Sequence, residues 1–225
     1  MNIENDPRTE DLAKIDARIK QAQDDGDDVQ LRDAYVNKAE HYERQLQYEQ
    51  AIENYQLALA KTAGAQKKLE YQLAVLHIYF KRDDFAKFGD QLELCKRLND
   101  EGGDWEKKNK LLVYEGLWLI KKRNLEAAAT TLLSCVNTFN APEIIPFEKL
   151  VFYGVVLGMV TLQRKDLKSK VLDNSDIIAV LREEKTLYDY LFSLYERRYH
   201  DFFRNLSRLT SHHRGRQDRR RQLPC

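Results

Sequence analysis

Apolar residues recur along most of the chain at three- and four-residue intervals, the period of one buried helix face. In AYVNKAEHYERQLQYEQAIENYQLALAKT the positions Tyr35, Ala39, Tyr42, Tyr48, Ala51, Tyr55 and Ala58 set small residues where two antiparallel helices cross and aromatics in the groove between them. This is the tetratricopeptide pattern. It recurs in weaker form at Leu76, Tyr79, Phe85, Phe88, Leu92 and Cys95, and again at Leu112, Gly116, Leu119, Leu125, Ala128, Leu132 and Cys135. The equivalent positions Ala51, Phe88 and Ala128 lie 37 and then 40 residues apart, against a strict repeat of about 34. The surplus residues are expected in the turns. A fourth pair is predicted from Phe147 to Leu172 after the breaker APEIIP, and a fifth in LYDYLFSLYERRYHDFFRNL, residues 187–206. No stretch reads as a strand with turn chemistry at both ends. The pattern predicts an all-α protein, an α-solenoid of about five tetratricopeptide-like helical hairpins, none able to bury its apolar face alone.

Two adjacent glycines in EGGDWEKKNKLLVYEGL, residues 101–117, interrupt this run of helices. A phosphate-binding loop would need more glycines and a lysine followed by Ser or Thr, so the stretch reads as a joint. Gly102 or Gly103 is expected to supply a left-handed cap, Asp104 to cap the next helix and Trp105 to begin it. The longest apolar run, LVFYGVVLGMVTL, is shorter than the roughly 20 residues of a membrane helix. Its Gly154 and Gly158 are expected on a buried helix that a neighbour approaches closely.

Composition supports the helical reading, with 43% hydrophobic and 32% charged residues but only 9 Gly and 4 Pro. The net charge of +1 conceals a gradient: residues 1–30 hold nine acidic and four basic side chains, residues 211–225 five Arg and one Asp. Without that tail the net charge is −3, so the body is no polyanion binder and nucleic acid is expected at most as a weak ligand of the tail. Cys95, Cys135 and Cys225 are far apart and form no CxxC pair, which points to a reducing compartment. The acidic N-terminus has no apolar stretch of a secretory signal.

Candidate chemistry is sparse. His41 and His77 fall on repeat helices, His200, His212 and His213 near the C-terminal end, and none has metal-ligand spacing. There is no GxSxG elbow, and Cys95 and Cys135 fall on apolar stripes rather than beside basic groups. The expectation is no enzyme, no cofactor and no metal. A clamp for a peptide carboxylate, as in chaperone-binding repeats, would need Lys and Asn where this chain has Val36 and Glu40.

EGGDWEKKNKLLVYEGL, YGVVLGMVTLQRKDLKSKVLDNSDIIAVL (153–181) and YDYLFSLYERRYHDFF (188–203) together resemble the PCI-family lid subunits of the 26S proteasome regulatory particle, the Rpn-seven type. The related signalosome subunits share the style of the later segments. The resemblance implies a helical-repeat arm, the N-terminal arm of a PCI protein, leading into a bundle and winged helix that assemble the lid. Charge, the repeat pattern and the resemblance together divide the chain into an acidic N-terminal helix or extension (1–29), a helical-repeat domain running into an incomplete PCI region (30–210) and a basic tail expected to be disordered (211–225). The family would continue where this chain reads SHHRGRQDRRRQLPC, with Gly215 and Pro224 expected to break any helix. That end is expected to be a product of frameshift or splicing, or else a basic import signal; a truncated competitor of the longer subunit is the corresponding alternative role. Implied partners are other lid PCI subunits, a small acidic lid subunit and the ATPase base ring, in cytoplasm and nucleus, with no membrane.

For such a scaffold the residues expected to carry contacts are exposed aromatic and basic ones. These are Trp105 at a helix start, the pair Lys121 and Lys122, and the pair Arg197 and Arg198. Trp118, with Tyr114 and Leu111 one and two turns behind it, is expected in the core.

Overall fold

The computed structural model describes residues 12–221, with side chains for 12–210. Its helices are Leu12–Asp24 (α1), Asp28–Arg44 (α2), Tyr48–Ala60 (α3), Ala65–Lys81 (α4), Phe85–Asp100 (α5), Trp105–Lys121 (α6), Leu125–Ser134 (α7), Phe147–Thr161 (α8), Arg164–Leu167 (α9), Ser175–Glu183 (α10), Lys185–Tyr195 (α11) and Tyr199–Arg221 (α12). Among the described residues there is no strand, so the chain is all-α. A 3-10 turn follows α7 at Val136–Thr138, and α9 passes into a π-helical turn at Lys168–Leu172. The chain divides into two units within α6, after Leu111.

In the first unit α1 packs on α2 through Ile15, Ile19, Ala22, Leu31 and Ala34. The α2–α3 hairpin closes on Ala39, Ala51 and Ala58, each fully buried, with Tyr55 between the helices. Small residues at the crossing let the backbones approach. Val75 and Ile78 of α4 complete the cluster. The α4–α5 hairpin follows, with Phe88, Leu92 and Cys95 buried.

One turn recurs through the chain. Gly26, Leu46, Asp83, Arg123 and Arg197 all take positive φ, between 56° and 66°. At each, the residue's N–H bonds the carbonyl three back and the next N–H the carbonyl five back, as in Leu46 N to Glu43 O and Gln47 N to Tyr42 O. This is a Schellman closure. The residue after it also starts the next helix: Asp27, Gln47, Asp84, Asn124 and Arg198 accept at their carbonyl from Leu31, Ala51, Phe88, Ala128 and Phe202. For the longer second spacing, the expectation that surplus residues lie in the turns does not hold. The turns at Leu46, Asp83 and Arg123 have one geometry, and α5, with 16 residues against 13 in α3, carries the longer second spacing.

The glycine joint also differs in detail. Asp104 accepts from Lys107 N at 2.8 Å and caps α6, which begins at Trp105 as expected. Gly102, however, has φ 158°, outside the left-handed helical well. Gly103 is the position that excludes a side chain, because a Cβ there would lie 2.8 Å from the Asn99 Cα.

In the second unit Gly116 of α6 faces Leu132 of α7, where a Cβ would come within 2.7 Å of the Leu132 Cγ. On α8, Gly154 and Gly158 are buried and their faces meet Leu133 of α7, so the small pair does admit a neighbouring helix. Leu150, Val155, Leu167, Val171, Ile177, Leu181, Leu187 and Leu191 continue that core through α11. The predicted fourth pair resolves into α8, the short α9 and its π turn, followed by α10, which the repeat pattern had not singled out. Its N-cap is Asn174, accepting from Asp176 N and Ile177 N. The predicted fifth pair is the α11–α12 hairpin. α12 continues through Gly215 to Arg221, contrary to the expected break: an interior glycine weakens a helix by about 1 kcal/mol without ending it. Pro224, Cys225 and the side chains of His212 and His213 lie outside the described residues.

Candidate interaction surface

Trp105, as the first residue of α6, has no preceding turn to cover it and is 67% exposed. Lys121 and Lys122, at the other end of α6, are also exposed. Lys122 Nζ sits 3.7 Å above the Trp118 ring. Trp118 is thereby half-buried under a cation rather than enclosed in the core, because its ring lies where α6 gives way to the turn. Arg197 is the left-handed residue of the α11–α12 turn, at φ 61°. Arg198 is held by two carboxylates: Nε donates to Glu196 Oε2 at 2.8 Å and Nη1 to Asp201 Oδ2 at 3.1 Å. These carboxylates shape the turn and already engage the charge a partner would have to recruit. Lys122 and Glu196 occupy equivalent places in their hairpin turns, just before Arg123 and Arg197.

Arg198 belongs to a cleft of about 260 Å³ between α11 and α12, lined by Asp189, Arg198, Asp201, Arg204, Asn205 and Arg208. Asp189 comes from α11, and Asp201, Arg204, Asn205 and Arg208 from successive turns of α12. Asn205 lies on the helix face that buries Phe202, Leu206 and Leu209 against the core. It is 7% exposed. A polar residue interrupting an apolar stripe was the available signal for this place, and the repeat reading passed over it. On the other flank of α12, Tyr199 and Phe203 are exposed at 58% and 64%.

The groups that could do covalent chemistry are shut away. Cys95 and Cys135 are fully buried; burial pushes the Cys95 thiol up to about 12 and that of Cys135 to about 11. The Tyr55 phenol is likewise raised by burial, with Glu43 and Glu40 adding to the shift. No group of His, Cys, Asp or Glu that could hold a metal ion occurs among the described residues. No described helix is long and apolar enough to cross a membrane. At the positions of a carboxylate clamp, Val36 packs against the α2–α4 cluster and Glu40 pairs with Arg44 at 3.4 Å.

Comparison with known proteins matches residues 4–170 to the family described as 26S proteasome subunit RPN7. Among similar curated proteins, the 26S proteasome non-ATPase regulatory subunit 6 homolog of Arabidopsis thaliana is 37% identical over 194 residues, covering 86% of this chain and 50% of its own length. The 26S proteasome non-ATPase regulatory subunit 6 of Oryza sativa subsp. japonica is 34% identical over 201 residues, 89% of this chain and 52% of that protein. The 26S proteasome regulatory subunit rpn7 of Schizosaccharomyces pombe is 31% identical over 207 residues, 91% and 52% respectively. The chain thus spans about half the length of these relatives. A family match over most of the chain, joined to an all-α series of hairpins, makes this protein a member of the 26S proteasome subunit RPN7 family.

Proposed function

We propose that the chain is a non-catalytic structural subunit of the 26S proteasome regulatory-particle lid, where it supports assembly and so ubiquitin-dependent protein degradation. The observation that carries this reading is the family match over residues 4–170, which spans the helical hairpins from α1 to α9. The chemistry is compatible: the two described thiols are buried, and Arg198 and Glu40 are engaged in ion pairs within the chain. Neighbouring lid PCI subunits, a small acidic lid subunit and the ATPase base ring are the proposed partners, with Trp105, Lys121, Lys122, Arg197 and Arg198 as candidate contacts.

The test is recovery of a tagged chain from cells, followed by native gel separation and mass spectrometry. Regulatory-particle subunits should accompany it above an unrelated helical-repeat control. Recovery with signalosome subunits instead, or with neither set, overturns the reading. Purified chain incubated with ubiquitin and peptide substrates should show no turnover, and turnover lost on changing a single His or Cys would overturn the non-catalytic part.

A further inference from the structure

The cleft between α11 and α12 holds polar groups that the fold itself leaves unused. Asn205 is 93% buried and lines the cleft, yet among the described residues its side-chain amide meets no hydrogen-bond partner. Its amide atoms are not sealed from solvent but open to the cleft, where water or the main chain of a ligand can meet them. Arg204 touches only the His200 ring, at 3.5 Å, and pairs with no carboxylate among the described residues. Asp189, from the facing helix, pairs with no cation among them. Arg204 and Asp189 line the same cleft without closing on each other. Arg198 and Asp201, by contrast, neutralise one another at 3.1 Å.

At about 260 Å³ the cleft is smaller than a typical small-molecule site of about 300–1,000 Å³, and its walls are polar where such sites are apolar. It fits one or two side chains and the peptide bond between them. We propose that this cleft is a docking point for a segment of a partner protein that presents an acidic side chain beside a basic one. The carboxylate meets Arg204, the basic group meets Asp189, and the Asn205 amide hydrogen-bonds the segment's main chain. This deepens the scaffold reading above and rests on it, and it selects the partner by a pair of opposite charges rather than by net charge.

The experiment is an NMR titration of the full chain, following the Asn205 side-chain amide and Arg204 Nε–H with blocked peptides. Acetyl-Ala-Glu-Lys-Ala-amide should produce saturable shifts at both groups. Replacing Glu by Gln or Lys by Gln in the peptide should each weaken binding by about tenfold, the effect of losing one charge-assisted contact. Arg204→Gln, at an exposed position, should abolish the dependence on Glu while preserving that on Lys. Asn205→Leu should remove binding and raise the melting temperature, since an apolar side chain suits the stripe better. Equal shifts from all peptides, or shifts that never saturate, overturn the proposal. So does a peptide lacking Lys that binds as well as the parent. Failure here with regulatory-particle subunits still recovered on the tagged chain removes the docking point and leaves the scaffold reading standing.

Discussion

Cys95 and Cys135 show how burial sets the behaviour of single residues. Both thiols are held above their ordinary value of 9.0 by loss of water, Cys95 at about 12 and Cys135 at about 11. Below pH 9 folded and unfolded chains alike keep these protons, so the thiols contribute their full stability there. As pH rises through 9 toward 11 and 12 the unfolded chain releases protons that the folded one retains, and stability falls. Relative to the double variant Cys95→Ala/Cys135→Ala, the wild-type advantage should therefore shrink between pH 9 and 10.5. The upper limit is about 1.4 kcal/mol per thiol per pH unit. Urea melts of both proteins across that range check it, and a constant gap would show that the thiols titrate normally. The apolar stripe made the fate of these cysteines legible in the sequence. Trp118 was not legible in this way, because helical spacing gives the face of a helix but not where a neighbour stops covering it.

Among elements, the recurring turn is the feature the sequence disguised. Glycine or asparagine usually marks a left-handed cap, but here Leu46, Asp83, Arg123 and Arg197 occupy that conformation and only Gly26 conforms. The backbone bonds of the closure, together with burial of the helices on either side, hold a conformation that costs a side-chain-bearing residue about 1–2 kcal/mol. Leu46→Gly should relieve that strain while losing little contact, since Leu46 is 69% exposed. Allowing for glycine's greater freedom in the unfolded chain, the gain should be about 0.5–1 kcal/mol. A thermal melt should show a rise of about 1–4 °C. No change, or a fall, would mean that Leu46 makes a contact worth more than the strain. The same disguise explains why the sequence assigned the uneven spacing to the turns: without glycines to fix their places, a longer α5 and a longer turn look alike. The α11–α12 cleft escaped for a different reason. Asp189 lies on one helix of the hairpin and Arg204 and Asn205 on the other, and only folding brings them to one cleft.

For the molecule as a whole, stacked hairpins make stability a sum of neighbour contacts rather than one central core. Ala51→Trp forces a large ring into a fully buried crossing of α2 and α3, where overpacking costs about 1–3 kcal/mol. Hydrogen exchange followed by mass spectrometry should then quicken across α2–α5, while α8–α12 keep their protection. Equal loosening of both units would mean that the chain opens in one cooperative step. The evenly repeated closure has a consequence at this scale too. Main-chain bonds alone make the closure, so it sets no demand on the type of side chain at the bend, and the four bends without glycine carry leucine, aspartate, arginine and arginine. A change of side chain at such a bend leaves the main-chain bonds of the closure in place. The bends are thus an editable margin, where recognition can be rewritten while the scaffold beneath stays the same.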